Sequence, residues 1–447
     1  MEALLLRSQA EASLLAEGWT MPPAAPPSAA LDSRRVRLLF HSRAPLVPNG
    51  YAARSVEIIG VARAAGWSAS AVTRLGYPTD INRFRTARVP EEEDYAGVPC
   101  RLLRDPGDGM RGRTLPDYLQ AYADAIVRLE QSDPPAVLHA ASSYHNGLAA
   151  AAAARRLGIA SVYEARGLWE VTALSRGDLA PDHHRFRLAA RLEADAARAA
   201  GAVIALSGGI RDALVGRGVP QEKVFVAPNC VETPGVTAET EAARAAARAE
   251  LGLVSAALVV GYVGSMVDYE GLDGLVAAMR SAVADGGDIA AFIVGDGAAR
   301  PAIEAAVRAA GLGNRLVLRP PTDRAGAARL AAAADVVALP RRDLPVTRIV
   351  PPIKLAEALS RGQPILVSDV PALAELVTDG ETGVVVTPGD TDALAAVLTA
   401  LSRDPGRVAR MGVAARRAAA ERFSYEAVGA VLTRAYTHAI EAARAAT

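Results

Sequence analysis

The densest run of groups able to do chemistry is LPRRDLPVTRIVPPIKLAEALSRG (339–362), which carries Arg341, Arg342, Arg348 and Lys354, then Glu357. It leaves a strand and enters a helix after Pro351 and Pro352, a place where proline is tolerated because the first amides need no partner. Cations in such a position can hold a diphosphate, and the prolines leave backbone donation to Ile353 and Lys354. A carboxylate one turn inside the helix, Glu357, can accept two hydroxyl hydrogen bonds, as from a ribose; an ordinary solvated helix residue is the plainer reading. Glycines mark further strand-to-helix turns: Gly50 in VPNGYAARS, Gly264 and Gly271 in VGSMVDYEGLD, and Gly295 and Gly297 in VGDGAAR. Free amides at a helix N-terminus suit a phosphate or carboxylate. Gly50, with Pro48 and Asn49, could equally do no more than make the turn. There is no GxGxxG after the first strand and no GKS or GKT, which speaks against a dinucleotide dehydrogenase or a P-loop NTPase.

A second group lies in the first half. His139 ends AVLHA and His145 opens a helix in SSYHNG beside Tyr144 and Asn146. Either histidine could contact hydroxyls or act as a base, although a backbone-satisfied strand end accounts for His139 as well. Glu164, Arg166, Trp169 and Glu170 crowd the end of another buried strand, as an acceptor surface or as a structural ion pair. His183 and His184 start a helix without further metal ligands nearby.

These groups need elements to hold them. Strands are expected at 36–40, 68–73, 136–140, 161–165, 202–206 and 223–228, then at 258–264, 289–295, 315–319, 336–340, 364–368 and 383–387. Helices fill most gaps: 52–65, 146–157, 186–200, 271–284, 299–311, 324–334, 353–361 and 390–402. Such alternation demands parallel sheets, because parallel neighbours need a crossover and a helix supplies it. Two runs of six predict an α/β chain with two doubly wound, Rossmann-like domains, 35–236 and 237–423, with the break near 229–256. Ligands then bind outside the carboxyl ends of the strands. Residues 1–34 read as a short helix followed by the Pro-rich spacer MPPAAPPSAA (21–30), an appendage for docking or dimerisation, or a floppy tail.

The 447 residues are 51% hydrophobic and 22% charged, with 49 basic and 49 acidic side chains. The balance removes broad attraction to nucleic acid or anionic membrane. No apolar run nears the ~18 residues of a membrane span, and the N-terminus lacks the basic lead of a secretory signal. Two cysteines, Cys100 and Cys230, are too few for a disulfide framework and fit a reducing compartment. The expectation is a cytoplasmic protein, with a peripheral place on the inner membrane face and a homodimer left open.

The ordered set VPNGYAARS (47–55), AVLHAASSYHNGLAAA (136–151), ARRLGIASVYEARGLWE (154–170), AVIALSGGIRDAL (202–214), KVFVAPNCVE (223–232), VGYVGSMVDYEGLD (260–273), VGDGAARPAIEAAVRAAGL (294–312), PPIKLAEALSRGQPILVSDVPALAEL (351–376) and DGETGVVVTPGD (379–390) resembles a family-4 glycosyltransferase of the GT-B fold. The resemblance spans roughly Arg35 to Ala443. It implies two domains facing across a cleft, and a final helix, about 424–445, that returns to the first domain. It further implies transfer of a sugar from a nucleotide diphosphate sugar, such as a UDP or GDP sugar, with retention at the anomeric carbon. The donor is expected on the second domain and the acceptor on the first. No cofactor or metal is implied, since side chains and helix dipoles neutralise the leaving diphosphate.

Carried over by position, Glu357 matches the glutamate that holds the ribose hydroxyls and Gly50 the turn near the donor phosphates. Gly264, Gly295, Asp296, Arg319, Pro320 and Ile353 line the donor side. Tyr144, His145, Asn146, Glu164 and Trp169 are the expected acceptor contacts. The family's usual arginine stands here as Ser265, its lysine as Glu270, the first of its paired glutamates as Ile349, and a histidine as Arg166. Arg341, Arg348, Lys354 and Arg166 are the cations able to refill the missing charge, and Arg166, His139, Lys354 and Arg348 are the expected catalytic groups. The acceptor is open: a small metabolite, a glycan precursor, a lipid-linked sugar or an aglycone. Two other readings stay in play: a non-catalytic relative that binds a nucleotide sugar or a partner, and another GT-B enzyme such as an epimerase or phosphorylase.

Overall fold

Short β-branched runs between Ala-rich amphipathic segments fold as the alternation requires. The structure is a computed structural model describing residues 2–47, 49–86, 88–105, 107, 109–232 and 238–446. Pro48 of the expected turn at 48–50 and part of the expected 229–256 break fall outside these residues. The chain forms two units, one of residues 1–230 with 425–447 and the other of residues 231–424.

In unit 1, α1 (Glu2–Glu17) precedes β1 (Arg35–Phe40), α2 (Gly50–Ala64) and β2 (Ser68–Thr73). A hairpin of β3 (Glu92–Tyr95) and β4 (Val98–Arg101) is followed by α3 (Leu115–Glu130), β5 (Val137–Ala141) and α4 (Tyr144–Leu157). Then come β6 (Ala160–Ala165), α5 (Trp169–Ser175), α6 (His184–Ala199), β7 (Ala202–Ala205), α7 (Gly208–Val215) and β8 (Val224–Val226). The sheet order is β3-β4-β2-β1-β5-β6-β7-β8, parallel except within the hairpin. The expected run of six strands is therefore eight. The hairpin escaped notice because its strands are four residues long and β3 is acidic, and Ala96-Gly97, both at positive φ, makes the turn. Acidic edge strands of this kind guard against edge-to-edge pairing.

Central strands β5 and β6 are buried at every residue, as parallel strands covered on both faces must be. The N-terminal segment is no loose appendage. Leu14 of α1 is buried, α1 packs on α3 and α6, and Ala25 and Ser28 of the Pro-rich stretch donate backbone bonds to the Arg155 and Gly158 carbonyls. Gly158, at φ 63°, caps α4 where a Cβ would overlap the Pro26 carbonyl.

Unit 2 runs α8 (Ala238–Leu251), β9 (Leu258–Val263), α9 (Leu272–Ala284), β10 (Ile289–Val294), α10 (Arg300–Ala310) and β11 (Leu316–Arg319). It continues with α11 (Arg324–Ala331), β12 (Val336–Leu339), α12 (Pro345–Ile349), α13 (Ile353–Ser360), β13 (Ile365–Ser368) and α14 (Pro371–Ala374). It closes with β14 (Gly383–Val386), α15 (Thr391–Arg403) and α16 (Pro405–Arg422). All six strands are parallel, in the order β11-β10-β9-β12-β13-β14, over an aliphatic core. The last helix, α17 (Tyr425–Ala445), lies in unit 1 against α2, β6, β7 and β8. Strand order reverses between β1 and β5 in unit 1 and between β9 and β12 in unit 2. Those two places are where an open parallel sheet leaves a crevice.

Candidate functional site

At the unit 2 reversal, β9 ends at Gly264 and β12 at Pro340 and Arg341. A side chain on Gly264 would press on the Lys354 Cε and Nζ atoms at 2.9 Å, so the ammonium lies directly against the end of β9. Lys354 Nζ donates to Tyr262 Oη at 2.7 Å and to Glu270 Oε2 at 3.1 Å, and sits 4.2 Å from the Tyr262 ring centroid. Arg341 donates to the other Glu270 oxygen at 2.6 Å and to the Val350 carbonyl at 2.8 Å. Burial pushes the Glu270 carboxyl up, but Arg341 and Lys354 outweigh it and hold it at about 2. Burial lowers the Lys354 ammonium, with Glu270 opposing. Two cations and the Glu270 carboxylate thus share a desolvated turn, with the Glu357 carboxylate also acting on Lys354.

Lys354 sits in the first turn of α13, where Ile353 and Lys354 have amides outside the helix ladder. Glu357, one turn on, is half-buried, and its carboxylate has no hydrogen-bond partner among the described residues. The β10 end joins this turn. Gly295 is at φ 150° because a Cβ there would overlap the Gly264 carbonyl, and Asp296 accepts from the Met266 and Gly297 amides. Ser265 and Asp296 are exposed, as are Arg319 and Pro320.

Other expected donor groups stand apart. Arg319 turns to the Leu251 carbonyl, and Arg348 lies exposed in a 2.6 Å ion pair with Asp343. A cavity of about 240 Å³ opens at the ends of β12, β13 and β14, lined by Arg342, Ser368 and the first turns of α9 and α15.

In unit 1, Glu164 is fully buried between Arg54 (Nε at 3.0 Å) and Arg166 (Nε at 2.7 Å). Burial pushes its carboxyl up, but the two guanidinium groups hold it well below the usual range. Arg166 also donates to the Tyr51 carbonyl and Ser55, while Arg54 reaches the Pro228 carbonyl and Cys230. This network ties β6 to α2 and the chain after β8. It corrects the expectation that Glu164 meets an acceptor, since both its oxygens are taken.

His139 is likewise buried, with Nδ1 2.7 Å from Tyr436 Oη of α17 and Nε2 3.7 Å from Glu164, out of reach of any substrate. Asn146 is buried and spent on the Ala141 carbonyl and Tyr122. Arg166, 7% exposed, serves the Glu164 network rather than an open surface.

What remains at the unit 1 reversal is aromatic. His145 stacks on Tyr144 with centroids 4.1 Å apart, and its Nδ1 meets Ser143 Oγ at 2.8 Å. His41, just past β1, lies 6.5 Å from the His145 ring and 6.0 Å from Trp169, which is 62% exposed. Burial pushes His145 down to about 3 and His41 well below its usual value, with nearby Arg74 adding to both. Sequence reasoning missed His41, although it directly follows a β1 that was read correctly. At α2, Asn49 caps the Ala52 amide, and nothing lies within 4 Å of where a Gly50 side chain would be.

No set of three or more His, Cys, Asp or Glu able to hold a metal occurs among the described residues. No described helix is long and apolar enough to cross a membrane.

The family description "Glycosyl transferase 4-like domain" matches residues 49–230, and "Glycosyl transferases group 1" matches 257–404. A D-inositol 3-phosphate glycosyltransferase of Xylanimonas cellulosilytica is 28% identical over 83% of this chain and 89% of its own. An alpha-D-kanosaminyltransferase of Streptomyces kanamyceticus is 29% identical over 55% of this chain, a match that spans 62% of that protein's length. Among solved structures, Anabaena HepE in complex with UDP aligns at TM-score 0.67 and 18% identity, over 90% of this chain and 98% of its own. Sucrose-phosphate synthase from Thermosynechococcus elongatus aligns at TM-score 0.68 and 22% identity over the same shares. Two doubly wound sheets, the returning α17 and family matches in both halves converge: the chain belongs to the family-4 glycosyltransferases of the GT-B fold.

Proposed function

We propose that the chain moves a sugar, with retention, from a nucleotide diphosphate sugar bound on unit 2 to a hydroxyl acceptor bound on unit 1, without a metal. The observation that carries this is the Lys354–Glu270–Arg341 cluster beside Glu357 at the unit 2 reversal. Lys354 and Arg341 supply fixed positive charge where the diphosphate departs, and preorganised charge of this kind is the largest single catalytic term in many enzymes. The Ile353 and Lys354 amides add the positive end of α13. Glu357, without a protein partner, is free to accept both ribose hydroxyls. In the transfer, the acceptor oxygen bonds to the anomeric carbon and the carbon–oxygen bond to the diphosphate breaks. The electron pair leaves with the diphosphate, whose oxygen receives the hydroxyl proton. The UDP complexes of HepE favour a uridine donor. A cytoplasmic site would supply it.

A thermal-shift panel of UDP, GDP and their sugars tests the donor site, since ligand binding to the native state raises Tm by mass action. One base series is expected to stabilise the wild type and to lose most of that effect in Lys354→Ala; no shift with any nucleotide overturns the reading. Ile349, standing where the family has a glutamate, favours the second reading, a relative that binds without turnover. Nucleotide release that never responds to any acceptor would select it.

A further inference from the structure

We propose that unit 1 takes an uncharged polyol acceptor at the carboxyl ends of β1, β5 and β6, with hydroxyls on His41 and His145 and a ring face on Trp169. This rests on the acceptor reading above and names its substrate class.

Three features of this corner are unexplained by folding. Trp169 opens α5 with 62% of its surface exposed, beside the His41 imidazole rather than inside a core. An indole so placed offers a flat apolar platform with a polar edge. His145 has its Nδ1 fixed by Ser143, and its Nε2 has no partner among the described residues. The His41 Nδ1 is buried without a partner, and its Nε2 is likewise unpaired among the described residues.

A neutral imidazole presents one donor and one acceptor, and a hydroxyl presents both, so two imidazoles 6.5 Å apart match neighbouring hydroxyls of one ring. The charge balance decides the class. The buried guanidinium groups around the site turn inward to carboxylates: Arg74 to Asp80, Arg43 to Glu93, and Arg54 with Arg166 to the single Glu164. Burial and Arg74 keep both histidines neutral. A phosphorylated acceptor would meet two neutral imidazoles and an indole here, while the spare positive charge of the Arg54–Glu164–Arg166 clamp is buried, its guanidinium side chains 2% and 6% exposed.

The test is a titration of the full chain with myo-inositol, methyl α-D-glucopyranoside and myo-inositol 1-phosphate, followed by calorimetry and by tryptophan emission. Saturable binding of at least one neutral probe is expected, with the phosphate no tighter than its neutral parent. Trp169→Phe should remove the emission change. His41→Gln and His145→Gln should each weaken binding about fivefold, roughly the worth of one neutral hydrogen bond. Phosphate binding tenfold tighter than myo-inositol, no binding of either neutral probe, or wild-type affinity in both histidine variants would each overturn the proposal. Nucleotide binding is measured in the same variants. If it persists while polyol binding fails, only this inference falls; if the wild type binds no nucleotide, the donor reading falls separately.

Discussion

Replacing Glu270 by Gln removes one negative charge and almost no volume from the turn that holds Lys354 and Arg341. The carboxyl titrates at about 2 in place of 4.5, and it is almost wholly buried, so solvent does little to screen it. A shift of that size amounts to roughly 3 kcal/mol of folding free energy, in line with the roughly 3–5 kcal/mol lost when a buried ion pair keeps only one side. The sign follows from linkage. The folded value is depressed, so the contribution is complete above pH 4.5 and vanishes as pH falls toward 2. Glu270→Gln should therefore lower the unit 2 melting temperature at pH 7 by roughly 6–12 °C, taking roughly 2–4 °C per kcal/mol for a unit of this size. The gap should close on acidification. Lys354, already lowered by burial, can shed its proton once Glu270 is gone, so the gap should narrow at alkaline pH as well. Scanning calorimetry of both chains between pH 3 and 9 measures this. Equal melting temperatures at pH 7, or a difference independent of pH, would refute the argument that Glu270 is the counter-charge for two desolvated cations.

Glu357→Gln should change the melting temperature little, because the half-buried carboxylate has no hydrogen bond among the described residues to lose and only electrostatic contact with Lys354 and Arg361, and weaken nucleotide-sugar binding roughly 10- to 100-fold, since hydrogen bonds to charged groups are worth roughly 1.5–3 kcal/mol each; scanning and titration calorimetry read the two effects. Gly50→Ala meets open space and replaces a helical glycine, so it should be neutral or stabilising by up to about 1 kcal/mol. Denaturant titration of the two chains measures this, and a loss of more than about 1 kcal/mol would refute it. Glu193 is buried against Glu170, and burial with that second carboxylate raises it to about 8. For an acid so raised, stability is complete below pH 4.5 and lost as pH climbs through 8. Glu193→Gln should then be a few kcal/mol more stable than wild type at pH 8 and about equal at pH 4 by denaturant titration; the same offset at both would sink this reading.

How much of this could be read from the chain alone follows the range of the interactions. Alternation of β-branched runs with Ala-rich helices placed the twelve expected strands and most of the expected helices within about three residues, because burial on both faces leaves a local signature, while helices such as α3 and α16 were missed. The β3–β4 hairpin lacks one: Glu92, Glu93 and Asp94 carry no strand pattern, and their place is set by pairing with β4, which itself pairs with β2. Glu357 and Lys354 were legible because they share a helix turn behind two prolines. The Glu270–Lys354 bond was not, since its partners are 84 positions apart. His139 illustrates the opposite failure. A strand-end histidine looks available until Tyr436, 297 positions later, arrives on α17 and takes its Nδ1.

The positions where this chain departs from its family are then of two kinds. Arg166 is absorbed into the Glu164 clamp, where it does for the fold what a smaller neutral ring could not. Glu270 is different. A glutamate where the family places a cation would repel a diphosphate if it stood alone, yet here it is bonded by both Lys354 and Arg341. Such a cluster is a poor stability device, because apolar packing of equal volume commonly matches or exceeds a buried ion pair. Its effect is to keep both cations at the unit 2 reversal, Lys354 at 3.1 Å and Arg341 at 2.6 Å from the carboxylate, so the inverted residue retains positive charge at that strand end instead of removing it.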